Sequence, residues 1–125
     1  MLDRIDLHVE VPALPPTDFR SDEDAESSLA VRTRVVSARA LQMARTGDPR
    51  LTNAVLSGRQ LRTYAPLEPE GRTLLERAVE KLDLSARGFQ RVVRVARTIA
   101  DLDGTARIGT PHLAEALRFR PRADA

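Results

Sequence analysis

The first apolar pattern in the chain has period two. Ile5, Leu7, Val9 and Val11 alternate with Asp6, His8 and Glu10, which predicts a strand over 4–11 with one apolar face. "PALPPTDF" breaks the pattern with three prolines and reads as a linker. Beyond it the apolar spacing changes to three and four. A long helix is expected over about 22–46, opened by the acidic "SDEDAESS" where carboxylates meet the positive end of the helix dipole. Its apolar stripe is Leu29, Val36, Ala40 and Met43, and Gly47 with Pro49 closes it. "LSGRQLRTYA" predicts a short helix, because Ser57 and Gln60 have the capping-box spacing. Pro69 suits the first turn of a third helix, marked by Leu74, Leu75, Ala78, Val79 and Leu82 and ending near Lys81–Asp83. The clearest helix starts after Ser85 as N-cap and stops at Gly104, with Phe89, Val92, Val93, Ala96, Ile99 and Ala100 on one face. "TPHLAEALRF" opens a last helix, with Thr110 as N-cap and Pro111 at the first helical position, and "RPRADA" should fray.

One strand followed by five helical segments is an odd sum, since a single strand has no partner. Two readings stand. In one, residues 1–12 belong to a sheet whose other strands lie upstream, and the chain is a C-terminal fragment. In the other, residues 1–20 are a disordered leader that happens to alternate. Either way the rest is mainly α, a helical bundle with short connections. The expected division is 1–20 for the strand and linker, 21–120 for the helical domain and 121–125 for the tail.

Composition narrows the function more than the fold. The 125 residues contain no cysteine and no tryptophan, so disulfides and thiolate metal sites are excluded and the core must be aliphatic. No run of 18 apolar residues exists, so no membrane span is expected; the N-terminus also lacks a basic-then-apolar leader. A cytoplasmic protein is the expectation. Two lone histidines, His8 and His112, do not make a metal site. The net charge is only +2, yet nineteen of the twenty basic residues are arginine and Lys81 is the exception. Arginine reads phosphate with a planar fork.

No Gly-rich phosphate loop, nucleophile–base motif or marked acidic pair occurs in the sequence. The chemistry therefore rests on where arginines stand. Arg87 falls in the first turn of the Ser85 helix, where the dipole already favours anions. Arg91 and Arg94 follow at four and seven residues. The bland alternative is a solvent-facing basic stripe, with Arg97 and Asp101 pairing at i, i+4 for a few tenths of a kcal/mol. Arg4 stands between Asp3 and Asp6. It is either a surface ion pair of little worth or an arginine supplied in trans to a transferring phosphoryl group.

"LDRIDLHVEVP", "NAVLSGRQLR" and "LSARGFQRVVRVARTIADLDG…RIGTPHLAEAL" together resemble the C-terminal part of magnesium-chelatase-like AAA+ ATPases, and within them the ComM/YifB group of competence-related proteins. The resemblance covers nearly the whole chain and is weakest over 18–28. It implies that the opening strand is the last strand of an αβα ATPase core and that the helices form its lid. It implies that Arg4 is the arginine finger reaching a neighbouring subunit's ATP, and that Arg87 is the sensor-2 arginine at the γ-phosphate. Arg59, Arg62, Arg91 and Arg94 become candidates for DNA or subunit contacts. The implied parent is a homo-hexameric motor using ATP and Mg²⁺, acting on DNA in branch migration, with the lid serving its own upstream core. No cofactor and no turnover are expected of this chain alone. Two other readings remain: the lid of a true magnesium chelatase, inserting Mg²⁺ into protoporphyrin, and an independent Arg-rich helical module binding nucleic acid.

Overall fold

The computed structural model describes residues 5–13 and 25–120. Five helices follow in order: α1 Ser28–Thr46, α2 Gly58–Tyr64, α3 Pro69–Leu82, α4 Ala86–Leu102 and α5 Thr110–Arg118. A 3-10 turn at Asn53–Val55 lies between α1 and α2. α4 is the axis of the bundle; α5, α1, α2 and the 3-10 turn all pack on it, and α3 packs on α5.

Helix ends are set locally. Ser57 and Gln60 form the expected capping box, with Gln60 N–H donating to Ser57 Oγ and Ser57 N–H donating to Gln60 Oε1. Pro69 occupies the first turn of α3. Ser85 Oγ accepts from Gly88 N–H at 3.0 Å and starts α4. Gly47 closes α1 at φ 74°, a left-handed backbone that glycine adopts without steric cost. Asp83 ends α3 at φ 50°, a conformation the short polar side chains tolerate better than most.

Three expectations need correcting. The first helix begins at Ser28 rather than near 22, because Ser27 stops it by accepting from Ala30 N–H; the acidic residues 22–24 lie outside the described residues. Gly109, not Thr110, is the N-cap of α5. The His112 side chain replaces a serine cap: its Nδ1 accepts from Gly109 N–H at 2.8 Å. With Nδ1 accepting, the ring proton sits on Nε2, which faces Asp103 Oδ2 at 3.1 Å. Third, residues 5–13 form no strand. A ladder needs a neighbouring strand. Here the His8 amide is taken by the Phe119 carbonyl at the end of α5. Among the described residues the one β-type contact is an isolated bridge between Leu67 and Ile108.

The core forms between α4, α5, α3 and α2. Leu56, Leu61, Leu75, Val92, Val93 and Leu113 are buried there, with Phe89 and Ile99 packed against them. The α4 stripe is therefore the buried one, as its spacing predicts. Each such Leu or Val contributes about 1.5–3 kcal/mol by leaving water. The α1 stripe behaves otherwise. Leu29 is 73% exposed, Val36 56% and Met43 47%. α1 turns its other side inward and buries Ala38 and Gln42. Among the described residues no helix is long and apolar enough to cross a membrane.

Candidate functional site

Four arginines line α4 at steps of four, three and three, and the fold treats each differently. Arg87 stands in the first turn, exposed, with no hydrogen bond or ion pair to the described residues. Arg91, a turn later, is ion-paired with Asp6 of the N-terminal segment. Arg94 gives Nε and Nη2 to the Leu56 carbonyl at 2.9 and 2.8 Å. Burial pulls its guanidinium below the ordinary arginine range, and the neighbouring Arg91 charge adds to this while Asp6 opposes it. Arg97 is 2% exposed and donates to the carbonyls of Ala106 and Thr105, both at 3.0 Å.

The expected Arg97–Asp101 pair exists, at 3.1 Å, but it is not a surface pair. Asp101 is also 2% exposed. It accepts from Arg97, from both terminal nitrogens of Arg45, and from Asn53 Nδ2 at 2.9 Å. Gln42 Oε1 in turn takes the Asn53 amide at 3.1 Å. Desolvation lowers the Arg97 pKa, and the Asp101 charge pulls it back. Sequence spacing found the pair and missed its burial, because the partners Arg45 and Asn53 come from other elements.

Arg59 and Arg62 on α2 are exposed, with no partner among the described residues. Arg91 and Arg94, half-buried, are engaged by Asp6 and by the Leu56 carbonyl. Arg4 lies outside the described residues. Sequence reading also overlooked Arg120, the first residue of the expected frayed tail. It is buried and donates from Nη1 to the Ile5 carbonyl at 3.1 Å. Nothing in a terminal "RPRADA" signals burial, because the carbonyl it serves is at the other end of the chain. Residues 121–125 lie outside the described residues.

Chemically, the first turn of α4 is a place for an anion. The Arg87 guanidinium, without a partner among the described residues, joins the partial positive charge of the helix start. That arrangement fits one corner of a phosphate group. Among the described residues no group of three or more His, Asp or Glu side chains is placed to hold a metal ion.

Comparison with known proteins identifies the family of the chain. The family model described as magnesium chelatase, subunit ChlI C-terminal, matches residues 25–120. Competence protein ComM of Haemophilus influenzae is 42% identical over 120 residues, which is 95% of this chain and 23% of that protein. The uncharacterized protein YifB of Escherichia coli is 41% identical over 121 residues, with the same shares. An uncharacterized protein of Mycobacterium tuberculosis is 40% identical over 122 residues, 96% of this chain and 24% of that protein. The chain thus spans about a quarter of the length of these relatives. The match over most of the described residues and the identity along nearly the whole chain place it in one family: it belongs to the magnesium chelatase ChlI C-terminal family, on the ComM/YifB branch of these AAA+ proteins.

Proposed function

We propose that the chain acts as the helical lid of an ATP-driven AAA+ motor, with Arg87 sensing the γ-phosphate from the first turn of α4. The observation that carries this reading is the unequal treatment of the α4 arginines. Three are engaged by protein groups, and Arg87 has no partner among the described residues at the helix end where an anion is best received. In this reading Arg4 serves as the finger in trans on a neighbouring subunit of a homo-hexamer, where such an arginine contributes on the order of 10³–10⁵ in kcat. ATP and Mg²⁺ belong to the complete protein, whose upstream core supplies the rest of the site, and no turnover is assigned to this chain by itself. The lid closes on nucleotide and opens after hydrolysis, a common use of a hinged element around phosphate. The name of the Haemophilus relative ties that protein to competence, which favours DNA as the substrate and branch migration as the work. Arg59 and Arg62, exposed on α2, are candidates for contact with DNA or with a neighbouring subunit.

The runner-up is the lid of a magnesium chelatase, favoured by the family description. An independent nucleic-acid-binding module is the third reading, and it predicts binding that falls steeply with salt. The deciding experiment is ATPase activity of the full-length protein as wild type, Arg4→Ala, Arg87→Ala and a 1:1 mixture of the two variants. Two inactive variants with activity regained on mixing are expected. Normal hydrolysis by both variants removes the motor assignment and leaves the binding module. Stimulation by branched DNA rather than by protoporphyrin separates the first two readings.

A further inference from the structure

We propose that Arg91 and Arg120 are positioning residues that lock residues 5–8 onto the start of α4 and the end of α5, and so couple this segment to the helix that bears Arg87. This rests on the roles assigned above to Arg4 and Arg87.

Three contacts make the lock. Arg91 is ion-paired with Asp6, the arginine side chain 20% exposed and the aspartate 40%. Arg120 donates to the Ile5 carbonyl at 3.1 Å. The third contact joins the His8 amide to the Phe119 carbonyl at 2.7 Å. Arg120 also lies near the turn that bears Arg87: a Cβ built on Gly88 would be 3.7 Å from its Nη2. The Arg120 guanidinium therefore reaches Ile5 from beside the first turn of α4.

The spacing gives the lock its consequence. Asp6 is two residues from Arg4, a reach of at most about 7 Å. Arg91 is one helical turn from Arg87, about 6 Å along the axis. A contact between Asp6 and Arg91 thus ties the neighbourhoods of both arginines together. Arg94 adds a positive charge beside this pair. Binding of nucleotide at Arg87 would then be felt through α4 by residues 5–8, the segment that follows Arg4 in the chain.

Two readouts test this. In the 125-residue chain, amide exchange at His8 reports the lock without any nucleotide. Arg91→Gln and Arg120→Met are expected to speed His8 exchange about tenfold or more, with the amides of Val93 and Leu113 unchanged. The exchanged pair Asp6→Arg with Arg91→Asp is expected to restore protection. In the full-length protein, Arg91→Gln is expected to lower ATPase kcat roughly 10- to 100-fold with KM for ATP nearly unchanged, as misplacement of a transition-state group does, and the exchanged pair to recover it. His8 exchange that ignores Arg91→Gln overturns the lock. A normal kcat in Arg91→Gln, with Arg87→Ala inactive, overturns its positioning role. If instead Arg4→Ala and Arg87→Ala both keep full activity, the nucleotide reading has failed. The His8 measurement then still decides the lock on its own.

Discussion

α1 and α4 are similar in length, 19 and 17 residues, and they are held by opposite means. α4 buries a continuous face, Val92, Val93, Ala96 and Ala100 among it. α1 buries Ala38 and Gln42 and leaves Leu29, Val36 and Met43 in solvent. What fastens α1 to the bundle is polar: Arg45 on Asp101, and Gln42 on the Asn53 amide. Apolar burial adds up with area and tolerates small shifts. A buried ionic network is strong only while every member is satisfied. The difference teaches that α4 is a core element, whereas α1 is attached through one specific set of hydrogen bonds.

The sharpest way to break this comparison is Asp101→Ala. It removes the carboxylate shared by Arg97, Arg45 and Asn53 and leaves the buried Arg97 charge without its counter-ion, and removing one partner of a buried pair costs about 3–5 kcal/mol. The denaturant midpoint should fall accordingly, and amide exchange should rise in α1 before α4. Equal loosening of both helices would show that α1 is not separately attached. Next comes Leu113→Ala in the centre of the core, expected to cost about 2–5 kcal/mol. There the loss should be global, with α1 and α4 weakening together in the same unfolding transition.

Gly71→Ala should be milder. An added Cβ would sit 2.7 Å from Leu113 Cδ1, inside a fully buried contact between α3 and α5. Overpacking costs about 1–3 kcal/mol, and the better helix propensity of alanine returns up to about 1. A net destabilisation of about 1 kcal/mol is expected by thermal unfolding, and a gain in stability would mean that α3 and α5 can part. Smallest is Val36→Ser on the outer face of α1, expected within about 0.5 kcal/mol. A cost above that in the isolated chain would mean that the outer face is covered there.

Much of the fold was legible residue by residue. Ser57 with Gln60, Pro69, Ser85 and Gly47 marked helix ends because capping is a contact within four residues. The α4 stripe was legible because one face only is apolar. α1 misled because two stripes lie nearly half a turn apart, Leu29/Val36/Ala40/Met43 and Val31/Val35/Ala38/Gln42. Periodicity measures both and cannot say which one a neighbour will cover. The N-terminal alternation misled for a related reason: period two reports which side chains share a face, not whether a strand stands beside them. At the site, Arg87 was legible from its place after Ser85. The engagement of Arg91 by Asp6 and of Arg94 by the Leu56 carbonyl was not, because those partners lie 85 and 38 residues away in the chain.

By itself the sequence determined where helices start and stop, which face of α4 is apolar, and which arginine stands at a helix start. These follow from propensities and contacts spanning a turn or two. Only the tertiary structure decided that α1 hangs on a buried charge network, that Arg97 is a core residue, and that Arg120 reaches back to Ile5. The physical reason is the same in each case. Burial and ion pairing depend on which distant groups share a low-dielectric space, and chain spacing carries no record of that.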